Sequence, residues 1–401
     1  MNKYIINNIE IDSVDLKCMV ISRGIKVDKN VYKMYSEHYR LNISPLTCNC
    51  IILSDGTIVQ MTDMGFHLQY LTGILSWNNI KLLKYASQLE TLFSLKIVDD
   101  KPALFYENEL VDYVSFPPYT DFYKQKTSSG LPFIGNSVIQ GLDWVAFQCL
   151  WACEYATEGK PCEFCFSGAD FQNLSHKGKK IPDAAKAADI VEIIEYAKTN
   201  IGCCGIQITG GSTLDGKSEI ENIKSYLQAI SENIDKDCVC GEKLLYITPP
   251  SDVSVVDDYF ALGASRIACS LELWDEERAK TVTPGKIELT TRKRHLEVLE
   301  YIAQKYGAGK AFSNFIIGIE EYDTLEAGAT YLAERGVMPT ASVWMPMGRP
   351  VLGSMQAPDI DYYKRVKDLY ARLYTKYNLE PTCSRGLNVC VERDIWNYAN
   401  P

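Results

Sequence analysis

Cys153, Cys162 and Cys165 form a C-x8-C-x2-C pattern on a stretch that leaves an apolar run, Trp144 to Trp151. Four thiolates would close a cluster or a structural zinc, so three leave one coordination position for a small molecule with its own donor atoms. The pattern points to an iron–sulfur cluster with one open iron, and function is expected at that iron. A zinc knuckle, or thiols that pack as small hydrophobes, would use the same residues. Cys149 competes with Cys153 as the first ligand. Cys153 is preferred, because Cys149 falls inside the run expected to be a strand and Cys153 where the loop begins.

The elements that must position this loop start near residue 135, where strands alternate with helices of ten or more residues. WVAFQCLW reads as the first strand. After the cysteines comes a helix opened by Pro182, with an apolar stripe at Ile190, Ile194 and Ala197. CGIQITGG, KLLYITPP, SRIACSLEL, KAFSNFIIGIE and TASVWMP read as strands two to six, each followed by a helical segment. Six β/α units call for a parallel sheet with helices outside, curved into a partial TIM-like barrel, and sites of such barrels gather at the C-terminal strand ends. The cysteine loop leaves the first strand at that mouth. Residues 1–125 show short alternating segments, including apolar runs around Asp55-Gly56, a hairpin turn pair, and read as a small α+β accessory domain. The α/β core is expected over 135–378, and 379–401 is read as a tail capping the barrel.

Composition narrows the class. The chain has 401 residues, a net charge of −10 and fourteen cysteines in uneven clusters. The acidic balance argues against nucleic acid, no apolar run reaches membrane-spanning length, and the N-terminus lacks a signal-peptide layout. A reducing cytoplasm is expected. The pairs Cys48/Cys50, Cys203/Cys204, Cys238/Cys240 and Cys383/Cys390 are read as packing thiols, the alternative being an auxiliary cluster from Cys383 and Cys390 completed by others, for instance Cys48 and Cys50. The histidines, His38, His67, His176 and His295, form no H-x-H pair, which disfavours a zinc hydrolase.

The cysteine loop, with Phe164 before its last cysteine, resembles that of the radical S-adenosylmethionine (SAM) superfamily, whose usual spacing is C-x3-C-x2-C. Further matches follow in order at the strand ends. Thr209-Gly210-Gly211-Ser212 resembles the Gly-Gly-Glu segment that binds the amino group of SAM, with Ser212 in place of the acid. Glu272 matches an acidic SAM contact on strand four of the biotin synthase and hydrogenase-maturase branch. Arg292 is the chosen partner of the SAM carboxylate, with Arg278 and Arg294 as alternatives. Asn314 to Glu321 resembles the family's G-x-I-x-G-x-x-E segment, which implies that Ile316 and Gly318 meet the adenine. The loop from Trp344 to Pro350 resembles a Pro- and Gly-containing loop of the same relatives. The resemblance covers residues 140–378.

It implies a [4Fe–4S] cluster on Cys153, Cys162 and Cys165, SAM at the open iron, and a 5′-deoxyadenosyl radical that takes hydrogen from a substrate. A reductant such as flavodoxin or ferredoxin is implied too. A cluster scaffold that hands its iron to a client would keep the cysteines, yet would have no need of Glu272 or the strand-five segment. The acidic balance and the segments available to close the barrel favour a small metabolite or cofactor precursor, with Arg349 and Arg385 as anchors if it is anionic.

Overall fold

The computed structural model describes residues 1–28, 30–31, 50–61, 91–118, 121–165, 183–203, 205–234, 242–346, 352, 355–384, 386 and 389–401. The chain opens with a hairpin, β1 (Lys3–Ile6) and β2 (Ile9–Asp12), turned on Asn7 and Asn8 at positive φ, the conformation a two-residue hairpin loop requires. Asp12 then caps α1 (Ser13–Arg23) in a reciprocal box with Asp15. Next come β3 (Lys26–Val27), the hairpin β4 (Cys50–Ile52) and β5 (Ile58–Gln60), and the strands β6 (Phe93–Val98), β7 (Lys101–Tyr106) and β8 (Glu109–Tyr113). β3, β6, β7 and β8 form one four-stranded sheet in that order.

The main sheet has seven strands. β9 (Ser137–Gln140) pairs antiparallel with β10 (Trp144–Leu150), and β11 (Gly205–Gly210), β12 (Glu242–Tyr246), β13 (Arg266–Ala268), β14 (Ala311–Ile317) and β15 (Met338–Val343) follow in parallel. The six parallel strands are those expected, and they make the α/β half-barrel. All seven residues of β14 are buried, as a strand covered on both faces must be. Between β10 and β11 lie α2 (Glu154–Thr157) and α3 (Ala187–Ile201). α4 (Lys217–Asn233) follows β11, and α5 (Val255–Ala261) follows β12. α6 (Glu276–Val282), α7 (Pro284–Glu288) and α8 (Arg292–Tyr306) follow β13. α9 (Tyr322–Glu334) follows β14, α10 (Ile360–Tyr377) follows β15, and α11 (Glu392–Ala399) ends the chain.

Three readings of the sequence change. The helix expected from Pro182 starts at Ala187. Tyr226 of α4 donates to the Ala185 carbonyl at 2.5 Å, drawing residues before the helix onto a neighbour. Strand four is shorter than SRIACSLEL: after the Cys269 amide bonds Phe312, Ser313 Oγ accepts from the Leu271 amide and Ser270 Oγ from the Asn314 amide, so hydroxyls replace ladder bonds there. The short helices α6 and α7 were not anticipated.

One hydrophobic core runs from Tyr4 to Ile395 and includes residues of α1, the half-barrel and α11. Buried ion pairs tie the chain ends together: Lys17 to Asp394 at 2.7 Å, and Lys367 of α10 to Asp12 and Asp15. The tail reaches the barrel floor, where Ser384 donates to Asp143 just before β10 and the Cys383 amide to Glu242 at the start of β12. It then lays Val389–Val391 antiparallel along β15.

Candidate active site at the barrel mouth

The cysteine loop is fastened on two sides. Toward β11, the Gly211 amide donates to Leu150 and the Glu154 amide to Ser212. A Cβ on Gly211 would lie 1.8 Å from the Ala152 carbonyl oxygen and 2.9 Å from the Cα of Cys153, so only glycine lets the loop sit here. Gly210 is tight to a lesser degree, its Cβ position 3.0 Å from the Leu150 backbone and 3.1 Å from the Cys149 sulfur. Toward the insertion after β13, the Glu163 amide donates to Val282 and the Gly285 amide to Lys160. Tyr155 and Thr290 share a hydrogen bond of 2.7 Å beneath them.

On this seat Cys153, Cys162 and Cys165 are each half-buried, whereas Cys149 is buried in β10. Burial pushes the Cys149 thiol well up, and the Glu219 charge adds to this. The Cys162 thiol is also pushed up, by burial first, with Lys286 opposing and Cys165, Glu272 and Cys153 adding repulsion. These groups therefore lie within electrostatic reach of one another. Three thiolates and a carboxylate against one lysine make a site short of positive charge, which iron would supply. In that respect the donor set fits an iron–sulfur cluster. Among the described residues no three His, Cys, Asp or Glu side chains converge as the ligands of a single metal ion would.

Glu272 stands at φ 71°, rare for a residue with a side chain, and rejoins the sheet through a bridge to Phe315. Its carboxylate receives Lys286 Nζ at 2.8 Å and Asn314 Nδ2 at 3.1 Å. Lys286 also donates to the Ser270 carbonyl. Burial works against its charge, but Glu272 and Cys162 hold its pKa above the ordinary lysine value. Asn314 accepts in turn from Ser342 and Thr340. Lys286 and Asn314 were missed as site residues because the cation was sought at the start of the next long helix. Thr283-Pro284, which opens α7, was the available signal for an intervening helical turn.

Phe164 and Ile316 meet in one apolar group with Leu273, Val282, Ile319 and Trp344. Thr209 lies level with Gln148 across the β10–β11 pair. Gly318, at φ 100°, turns the position its Cβ would take toward Tyr363 and Pro358, and its amide donates to Tyr362. Arg292 stacks on Trp274, 3.7 Å from the ring centroid, donates to the Trp274 carbonyl and faces Glu276. Arg278 reaches Met355 and Arg294 the Pro250 carbonyl. His295 is buried and pushed down to about 3 by burial, with Lys286 adding to the fall. Cys48, Cys204, Cys238, Cys240, His38, His67, His176, Arg349 and Arg385 lie outside the described residues.

No protein-family model matches the chain. Bacteriochlorophyllide c C-7(1)-hydroxylase of Chlorobaculum limnaeum is 25% identical over 268 residues, 63% of this chain and 65% of that protein. The chain thus spans just under two thirds of that relative's length. Among solved structures, HydG, a maturase of the [FeFe]-hydrogenase, has a TM-score of 0.41 at 17% identity, over 60% of this chain and 52% of that one. A radical SAM methyltransferase from Sphaerobacter thermophilus has a TM-score of 0.43 at 11% identity, over 75% and 81%. A half-barrel of six parallel strands, with a three-cysteine loop at the first strand's mouth, a glycine pair at the second and an acid after the fourth, is the arrangement that the resemblance to the radical SAM superfamily implies.

Proposed function

We propose that the chain is a radical SAM enzyme in which Cys153, Cys162 and Cys165 hold a [4Fe–4S] cluster and SAM binds at its open iron, beside Glu272. The observation that carries this reading is the seat of the loop, pinned between Gly211 and Val282, with Cys162 within electrostatic reach of Cys153, Cys165 and the Glu272–Lys286 pair. When bound, the two groups supply reductive cleavage of SAM to methionine and a 5′-deoxyadenosyl radical able to remove a hydrogen atom from a substrate.

The chain's own residues bind, orient and shield. Glu272 offers a carboxylate for the amino group of SAM, with Lys286 and Asn314 holding its orientation. Thr209, Gly210 and Gly211 offer backbone groups at the adjoining strand end. Phe164 and Ile316 form an apolar wall against which an adenine can lie and from which water is excluded. Arg292 is retained as the candidate partner of the SAM carboxylate, reached by leaving its stack on Trp274.

The substrate in this reading is a small metabolite or cofactor precursor. Support comes from the curated relative, named for a hydroxylation of bacteriochlorophyllide c, and from the tail laid along β15. A small electron carrier such as flavodoxin or ferredoxin delivers the electron. No described helix is long and apolar enough to cross a membrane.

Anaerobic reconstitution followed by iron and sulfide analysis tests the proposal. Wild type takes up one cluster and, once reduced with dithionite, forms 5′-deoxyadenosine from SAM. The Cys153→Ala/Cys162→Ala/Cys165→Ala variant takes up none, and Gly211→Ala, which drives a methyl into the Ala152 carbonyl, loses most of its iron. A full cluster in the triple variant, or no SAM cleavage by iron-replete wild type, would sink it.

A further inference from the structure

Strand register decides which side chains enter the barrel. Phe147 of β10 meets Tyr226 of α4, with ring centroids 5.7 Å apart, so it faces the helices. Side chains alternate along a strand, and Trp144, Ala146 and Gln148 therefore face the lumen. Parallel pairing puts Gln207 level with Ala146 and Thr209 with Gln148. Tyr246, one step beyond Leu245, continues the row on β12. On the far side, Cys390 of the tail pairs with Ser342 and bonds its hydroxyl at 3.2 Å.

Several polar atoms bordering this space have no hydrogen-bond partner among the described residues. They are the Oε1 atoms of Gln148 and Gln207 and Nε1 of Trp144. Gln207 is 7% exposed and Trp144 0%. A buried polar group left unanswered costs about 1–3 kcal/mol, and such groups are uncommon in native proteins. Two of the three are oxygens, so they call for a partner that donates. The cation the strands turn inward, Arg266, is bound to Glu242 at 2.8 Å, and Lys286 is bound to Glu272. An anion entering here would meet acceptors and cations already committed.

We propose that Gln148 and Gln207 make the lumen behind the cysteine loop selective for a ligand presenting N–H or O–H donors, neutral or cationic, over an anion. This deepens the radical SAM reading and rests on it for taking that ligand as the substrate, but the binding selectivity stands on the orphan oxygens alone.

Benzamidine and benzoate are matched in size, one donating hydrogen bonds and carrying positive charge, the other accepting them and carrying negative charge. Thermal unfolding of cluster-loaded protein with each probe tests the site. Benzamidine raises the wild-type midpoint saturably and benzoate does not; the Gln148→Leu/Gln207→Leu variant, compared at equal iron content, loses the benzamidine shift. Without any probe, Gln207→Leu unfolds at or above the wild-type midpoint, because an unanswered oxygen is removed. An equal or larger benzoate shift, no benzamidine shift in wild type, a shift that survives in the double variant, or a clear loss of stability in Gln207→Leu would each overturn the proposal. Failure of wild type to cleave SAM is a separate result and bears on the reaction instead.

Discussion

Two sets of buried charges differ in what surrounds them. Lys17 with Asp394, and Lys367 with Asp12 and Asp15, join the first helix to the last two; Lys17 is 0% exposed and its partner 7%. These charges answer one another across more than 350 residues of sequence. Lys286 and Glu272 are somewhat more exposed, 15% and 12%, and their pair lies within electrostatic reach of Cys162 and is built on a residue at positive φ. The first set uses charge to hold the chain ends in place. The second uses backbone strain and a charge imbalance to keep a site ready, which is where such strain tends to be stored. Removing a charge from the first should therefore cost the fold, and from the second the ligand.

The largest effect is expected at Lys17. Lys17→Met leaves Asp394 buried without its cation, and breaking such a pair costs about 3–5 kcal/mol. Chemical denaturation reads this directly. Lys17→Met/Asp394→Leu should recover most of the loss, since two apolar groups replace two charges. A loss below about 1 kcal/mol in the single variant, the range of exposed pairs, would erase the contrast.

Glu219 sharpens the comparison as a carboxyl buried among hydrogen-bond donors. It accepts from the Thr248 amide at 2.7 Å and the Thr213 hydroxyl at 3.4 Å, and burial pushes it up to about 7, the hydrogen bonds from Thr248 and Thr213 opposing. The folded state then binds its proton more tightly than the unfolded chain does. Its contribution is full below the unfolded value near 4.5 and is lost as pH rises through about 7. The span corresponds to at most about 3 kcal/mol. Glu219→Gln keeps the acceptor and removes the titration, so its stability should fall less than wild type between those pH values. Parallel curves for the two proteins would show that Glu219 does not titrate there.

Glu272→Gln tests the other set. The amide keeps the shape and one acceptor but gives up the charge that we propose meets SAM. SAM binding to the cluster-loaded variant should weaken about tenfold, about 1.4 kcal/mol, with iron content retained. Calorimetry that finds equal affinity would remove Glu272 from the binding site.

Much of this was legible before the fold was known, for reasons that can be named. The six β/α units announced themselves through apolar runs such as Ala311–Ile317 and amphipathic helices such as Ile360–Tyr377. Gly211 was readable as a close-approach glycine, although the backbone it approaches is the cysteine loop's own. Strand four was over-extended because Ser270 and Ser313 look like strand residues while their hydroxyls take over ladder bonds. α1 was invisible to periodicity, since all but its last residue is buried and it shows no polar face; its capping pair Asp12 and Asp15 was the signal available. Lys286 escaped because α7 has only five residues, too few for any period.

The smallest effect is expected at Cys149, and it decides which thiols belong to which set. Cys149 lies in β10 with its sulfur beside Gly210, where an added Cβ would come within 3.1 Å of it, and its carbonyl accepts from Asn222 at 2.8 Å. Its side chain follows Phe147 toward the helices, as two residues apart on a strand requires. Cys153 stands three residues past the strand, half-buried, just before α2. Cys149→Ala deletes one buried sulfur from a packed position and should cost about 1 kcal/mol, with iron content and SAM cleavage intact. Cys153→Ala should leave stability nearly unchanged and abolish the cluster. The reverse outcome, iron lost with Cys149→Ala and kept with Cys153→Ala, would move the first ligand into the strand. The loop seated on Gly211 would then be a structural turn only.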